Sequence, residues 1–567
     1  MARPQAPRSK PPAAVAPVAR QPTTPSSVAG AAAQPAPEPG PEPLTSAGDL
    51  ALVLHAHLPY VRSSEPGSLE EDWYFQALQE CYLPLLAVLE AAAADSSQHA
   101  RITLGLSPTL LSLLADRRLN ARFLPWLVQR QQLLERAPAE HAEAAAHLGQ
   151  QLQQVEQQWL ACEGQLVPRF RQLQQQGVVD LITCGATHGY LPLLREVPEA
   201  VRAQLLNAVR EHERQLGERP LGIWLPECAY YEGLDQQLAE VGLRYSVLDG
   251  HGLLHALPRP RYGVYAPICS PAGVAFFARD GASTLPVWSA SEGYPGDGAY
   301  REFHRDLGWD LSSEALTAVG IETPRPLGLK LHRVSARGTP LERKLPYLPG
   351  PAEQRADEHA ATYLRGRAGE LDHLSSAMDR PPLLVAPFDA ELFGHWWYEG
   401  PRFLAQLFLQ APAHGVGFTT LRDVLRRGDG LQICRPSPSS WGQGGYHHYW
   451  LNESNAWVVP EWNRASAAMV ERVNRGVGSA DQLQRLNQAG RELLLAQSSD
   501  WSFILRAGTT TELAKERIRT HLDRFWRLLA AIDSGNDPPG GWLAAVERED
   551  PLFPLINAAD WATRPPR

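Results

Sequence analysis

The chain has 567 residues, 44% of them hydrophobic, and a formal net charge of −9. That length exceeds what one compact core needs, so two domains or one elaborated barrel is expected. The acidic balance without a basic stripe argues against nucleic acid, no run of eighteen apolar residues marks a membrane span, and six scattered cysteines without a C-x-x-C pair suggest a reduced, cytoplasmic protein.

Residues 1–47 contain twelve Pro and twelve Ala and no aromatic residue. Such a segment buries too little surface to offset its ordering entropy, and is expected to be disordered. Its early basic residues, Arg3, Arg8, Lys10 and Arg20, could suggest an organelle signal. The repeated prolines oppose the helix that such signals form, and the start lacks the apolar core of a secretory signal.

From about residue 48 strand and helix patterns alternate. Leu50–Leu54 reads as a strand ending at His55, and Trp73–Ala94 as a helix. Arg101–Leu106 reads as a strand followed by Ser107-Pro108, a helix cap with proline in the first turn. Residues 139–177 read as helical, Val178–Cys184 as a strand ending near His188, and Ala200–Leu216 as a helix. Leu221–Leu225 is a strand ending at Glu227, Leu234–Val241 a helix, Tyr245–Leu248 a strand, and Leu383–Phe388 a late strand. This alternation predicts an α/β fold with a parallel sheet, open or closed, whose chemistry gathers at the carboxyl ends of the strands. Residues 255–350 are rich in Pro, Gly and aromatics and read as an insertion over those ends. Ala465–Ala496 and Thr511–Ala531 are amphipathic, so residues 431–567 are expected to form a helical C-terminal domain after a catalytic region over 48–430.

Five short blocks carry the unusual polar residues. His55-Ala-His57-Leu-Pro-Tyr60 places two histidines on one face of a strand. They could bind sugar hydroxyls, satisfy nearby backbone, or open a zinc site completed by His188 and Asp389. His188 follows a strand in Gly185-Ala-Thr-His188-Gly-Tyr190. Glu227 lies in Trp224-Leu-Pro-Glu227-Cys228-Ala-Tyr230-Tyr231, where Pro226 and Cys228 suggest an enclosed turn and the glutamate could serve as a nucleophile. Asp389 directly ends the apolar run, followed by Glu391, His395 and Trp396. Carboxylates beside flat rings suit a sugar, and two acids on different strands form the pair that glycoside chemistry needs. Asp389 is the better catalytic candidate than Glu391, which could orient a neighbour or pair with an arginine. Finally, Ser440-Trp441-Gly442 to Trp457 sets three Trp and two Tyr around a glycine run, either a stacking platform or an anchor between domains.

Together the five blocks, all in order over about residues 50–530, resemble glycoside hydrolase family 57. Within it, Val287-Trp288-Ser-Ala-Ser-Glu292 to Asp297 and Ser499-Asp-Trp501-Ser-Phe-Ile resemble segments of the 1,4-α-glucan branching enzymes. The resemblance implies an incomplete (β/α)7 barrel with an inserted region and a C-terminal all-helical domain. It implies a retaining mechanism without metal or other cofactor, acting on α-glucans such as amylose and glycogen, in a monomer or small homo-oligomer. The nucleophile maps to Glu227 and the general acid/base to Asp389. His55, His57 and His188 fall on substrate positions, as do His395 and Trp396. Trp288, Trp441 and Trp450 match glucan-stacking tryptophans, with Trp73 as a further candidate. Ser291 departs from the acid expected before Glu292. An α-amylase or a 4-α-glucanotransferase is the alternative on the same barrel.

Overall fold

The computed structural model describes residues 46–63, 66–289, 292–535 and 540–563. The tail expected over 1–47 lies almost wholly outside the described residues, and so does Ser291.

Ten strands occur among the described residues: β1 (Asp49–Ala56), β2 (Ile102–Leu106), β3 (Val179–Ile182), β4 (Gly222–Ile223), β5 (Tyr245–Leu248), β6 (Ile268–Cys269), β7 (Ala275–Ala278), β8 (Leu383–Asp389), β9 (Gly417–Phe418) and β10 (Gln432–Ile433). They form two five-stranded sheets. The first runs β3-β2-β1-β8 with β9 also on β1, and the second β10-β6-β7-β5-β4. Only the β6–β7 pair is antiparallel. The sheets touch at two places. Thr183, after β3, bridges to Ile223 of β4, and the Asp280 N–H, after β7, donates to the Val385 carbonyl of β8 at 2.8 Å.

Side chains alternate along these strands, and the alternation separates two cores. Ala51, Val53, Ile182, Tyr245, Val247, Ala275, Phe277, Leu383 and Val385 meet in one cluster drawn from both sheets. Their neighbours Leu50, Leu52, Leu54, Leu384, Ala386 and Phe388 belong to the larger cluster shared with the helices. His55 and Asp389 have the parity of the first set. They also stand opposite each other in the β1–β8 register, at the carboxyl ends of both strands.

Several elements differ from the sequence reading. The expected Trp73–Ala94 helix begins at Leu69 and contains one wide π-turn, Leu78–Tyr82. By length and composition Leu69–Ala94 could cross a membrane, yet 61% of its apolar window is buried in the fold, as in a core helix. The 255–350 region is more than an insertion, because it supplies β6 and β7 of the second sheet; four apolar residues of β7 between Pro- and Gly-rich stretches left too short a pattern to read. The expected Ala465–Ala496 helix is two helices, Val458–Asn474 and Ala480–Ala496. Gly476 takes φ 88° between them, and Ser479 caps the second by accepting from the Gln482 N–H. The helical run continues with Ser499–Ala507 and Thr511–Ser534. It starts at Val458, because β10 still belongs to the second sheet.

Candidate active site

The carboxyl ends of β1, β3, β4 and β8 deliver His55, His188, Glu227 and Asp389 to one region, as the pattern of strand ends predicts. Local backbone geometry explains how. A Cβ on Gly105, the β2 partner of His55, would lie 3.1 Å from His55 Nδ1, so glycine leaves room for that ring. Past β4 the chain turns so sharply that Glu227 and Cys228 both occupy the left-handed region, at φ 62° and 50°. His188 does so as well, at φ 55°. Each such residue costs about 1–3 kcal/mol, and all three lie in blocks that the sequence singles out for chemistry.

His55, His57, His188 and Trp224 form a nearly parallel set of rings. Centroids are 4.8 Å apart for His55–Trp224, 5.1 Å for His55–His188 and 4.0 Å for His57–His188, with interplanar angles of 6°, 19° and 13°. Three imidazoles this close cannot all be charged. Burial and then the neighbouring imidazoles hold His55 well below its usual pKa. Burial and then His57 do the same to His188. Burial opposes charge on His57 too, but Asp500, Glu391 and Glu227 outweigh it and raise the pKa. Of the three, His57 therefore takes a proton most readily, and its Nε2 contacts both Asp500 carboxylate oxygens at 3.0 and 3.1 Å. Its Nδ1 lies 2.9 Å from Ser107 Oγ, and His188 Nδ1 lies 2.8 Å from Ser499 Oγ.

Asp500 is the residue that sequence reasoning passed over. It occupies the first turn of the Ser499–Ala507 helix and takes a 2.5 Å hydrogen bond from Ser498 Oγ. Despite burial, the His57 charge and hydrogen bond hold its pKa down to about 2. The only signal in the sequence was its membership in the Ser499-Asp-Trp501 segment, which does not say what it meets.

The zinc alternative used His55, His57, His188 and Asp389. Among the described residues the groups close enough to share an ion are instead His57, His188 and Asp500, and His55, Cys184 and His188, with a third, Glu492, His521 and Asp550, in the C-terminal region. In the first, Asp500 raises the His57 pKa, and a metal would have to displace that proton. That donor set suits an ion pair better than a metal.

Glu227 and Asp389 line the same cavity, of roughly 670 Å³, and the Glu227 charge acts on Asp389. Burial pushes Glu227 up to about 7, while the Trp441 indole opposes that shift by donating to Glu227 Oε2 at 2.6 Å. Asp389 is pushed well above the carboxylate range by burial and then by the charges of Glu391 and Glu227, with only Arg279 opposing. Glu227 has the Trp441 donor and His57 against one carboxylate, Asp500, whereas Asp389 has Arg279 against two, Glu391 and Glu227. The first ionises more readily and the second keeps its proton, the division that acid-assisted displacement requires. Among the described residues Glu391 pairs with no arginine. It accepts from the Tyr82 hydroxyl at 2.6 Å and from the His57 N–H at 3.0 Å, so it orients the β1 end.

Three tryptophans form the walls. Trp288, Trp396 and Trp441 all line the cavity, with Trp288 5.7 Å from Trp441 and 6.4 Å from Trp396. Trp288 and Trp396 remain 38% and 43% exposed, leaving ring faces for a ligand. Trp450 also lines the cavity, but it is 2% exposed and stacks on Tyr190 at 4.6 Å, so it serves mainly as backing. Tyr449 and Phe503, tilted by 32° at 4.6 Å, add a further wall; Tyr449 belongs to the aromatic block marked in the sequence, whereas Phe503 was not singled out. Trp73 is outside the lining and packs half-buried on the main core. His395 is one layer back, with Nδ1 2.7 Å from Glu80 Oε2.

Comparison with known proteins gives the family. Residues 51–433 match the model described as Glycosyl hydrolase family 57, and residues 461–561 match 1,4-alpha-glucan branching enzyme, C-terminal. A protein from Thermococcus kodakarensis named 1,4-alpha-glucan branching enzyme is 33% identical over 92% of this chain and 79% of its own length. The crystal structure of a branching enzyme from Pyrococcus horikoshii shares 32% identity at a TM-score of 0.83, covering 92% of this chain and 98% of that one. A Thermotoga maritima structure titled alpha-amylase shares 34% identity at 0.82, covering 91% and 99%.

Proposed function

The chain belongs to glycosyl hydrolase family 57, and from that premise we propose that it is a 1,4-α-glucan branching enzyme. It cleaves an internal α-1,4 linkage and passes the freed chain to a 6-hydroxyl, forming an α-1,6 branch in glucans such as amylose and glycogen. The observation that carries the reading is the pair Glu227 and Asp389 in one tryptophan-walled cavity, both shifted upward by burial but Asp389 the more strongly.

In the proposed double displacement, ionised Glu227 attacks the anomeric carbon while Asp389 gives its proton to the leaving oxygen. This leaves a covalent glycosyl-enzyme and an ionised Asp389. An acceptor 6-hydroxyl then loses its proton to Asp389 as its oxygen displaces Glu227, retaining configuration at the anomeric carbon. Water competes for that step, so the acceptor must be held and water kept out. The faces of Trp288, Trp396 and Trp441 are suited to both tasks.

Seven strands, β1–β5 with β7 and β8, are read as the incomplete (β/α)7 barrel. The two contacts between the sheets and the shared interior cluster support that closure. Residues 48–430 are read as the catalytic unit and the helices beyond as a second unit that lends Asp500 and Phe503 to the site. Six free cysteines support a reduced, cytoplasmic setting.

Hydrolysis is the second reading, favoured by the resemblance to the Thermotoga maritima structure titled alpha-amylase. Incubation with amylose, then debranching and chain-length analysis, separates the two. New α-1,6 linkages mean branching, whereas a gain in reducing ends without them means hydrolysis and overturns the proposal. Glu227→Gln should abolish turnover with the fold intact, and Asp389→Asn should lower kcat by about 10²–10⁴-fold.

A further inference from the structure

A second cavity, of roughly 370 Å³, lies between the Leu83–Ala94, Ala142–Ala161 and Gly400–His414 helices. It shares no lining residue with the catalytic cavity. The wall between them is about one side chain thick. Arg301 faces the catalytic cavity, and its guanidinium pairs with Glu80 at 2.7 Å and sits 3.8 Å over the Tyr398 ring. Glu80 and Tyr398 line the second cavity.

The lining of the second cavity is chemically specific. Gln79, Gln151, Gln154 and Gln158 contribute amides, and Tyr347 and Tyr398 contribute rings. Several of its acceptors lack donors. Gln79 and Glu399 are each 4% exposed, and Gln79 Oε1 and Glu399 Oε2 have no hydrogen-bond partner, nor does Gln158 Oε1. The other Glu399 oxygen is satisfied by the Tyr347 hydroxyl and the Arg301 N–H. A buried acceptor without a donor is costly, so the site calls for a ligand rich in donors.

Such a ligand is either a polyol or a cation, and charge favours the first. Glu80 is neutralised by Arg301 and His395, and Glu353 faces Arg402 at 3.4 Å. The Arg301 charge also acts on Glu399. The volume falls within the range of roughly 300–1,000 Å³ usual for small-molecule sites. Tyrosine rings beside amides and a carboxyl match a hexose, which presents a flat face and a rim of hydroxyls.

We propose that this cavity is a second saccharide-binding site, separate from the catalytic one, which takes a short neutral sugar of one or two hexose units. The inference does not rest on the branching reading, since it concerns a different cavity.

Titration calorimetry of the full chain with maltose tests it. Two classes of binding are expected. Ala87→Trp fills the second cavity and should remove one class, while Trp441→Ala, in the catalytic wall, should leave that class in place. Gln79→Met keeps the side-chain length but removes the acceptor, and should weaken the same class about fivefold. A single class that Trp441→Ala removes would overturn the proposal. So would two intact classes in an Ala87→Trp protein with an unchanged melting temperature. If Ala87→Trp does not fold, unchanged affinity in Gln79→Met overturns it. Methylammonium binding there in place of maltose would do so too.

Discussion

Trp441 serves Glu227 in two ways, presenting a ring to the cavity and an N–H to the carboxylate. Trp441→Phe separates these roles. Without the donor, Glu227 should titrate above its present value of about 7, and the acidic limb of the kcat/KM profile should move up by about one pH unit. An unshifted limb would mean that the indole does not tune the nucleophile. Asp500 acts one step further from the cavity. Its folded pKa of about 2 is below the ordinary 3.8, so its contribution to stability is present above 3.8 and lost as pH falls toward 2. The His57 pKa is raised above 6.5, so its contribution is complete below 6.5 and lost as pH rises through the raised value. Asp500→Asn should therefore destabilise the fold by about 3 kcal/mol, with the largest gap from wild type between pH 3.8 and 6.5. Denaturant unfolding of both proteins across pH would show it. Glu227 and Asp389 stood out in the sequence because each ends an apolar run. Asp500 did not, because its meaning lies in a contact across 443 positions.

Among the elements, the turn after β8 does most to set the catalytic wall. Gly394 takes φ 114°, and a Cβ there would lie 1.7 Å from the Glu80 carbonyl oxygen. Glu80 itself sits in the π-turn, close enough to hold His395. Gly394→Ala should cost about 2–4 kcal/mol and displace Trp396, raising KM for amylose. Thermal melting together with steady-state kinetics would reveal both effects, and wild-type values would refute this packing argument. Strand patterns were legible wherever burial on both faces produced a continuous apolar run, as in β1 and β8. They were illegible where short strands lie among Pro- and Gly-rich stretches: β6 has two residues and β7 only four. The break after Asn474 was marked by Gly476 and Gly478, yet the amphipathic period on both sides concealed it.

At the scale of the whole molecule, the site is assembled from both ends of the chain. Ser499 N–H bonds to the His188 carbonyl, Gly189 bridges to Ser498, and Asn455 reaches the Ser502 carbonyl. A chain truncated after Trp457 keeps Glu227, Asp389 and Trp441 but loses the counterion of His57. It should lose at least about a hundredfold in branching activity even where it stays soluble, as a branching assay on purified protein would measure. Near-normal activity would show that the helices only stabilise the fold. The His57–Asp500 ion pair also has a consequence during synthesis. Both catalytic carboxyls leave the ribosome long before residue 500 does. A nascent chain therefore holds an unfinished site until the helices beyond Val458, about its last fifth, emerge and dock, so the final helices decide when the enzyme begins to cut glucan.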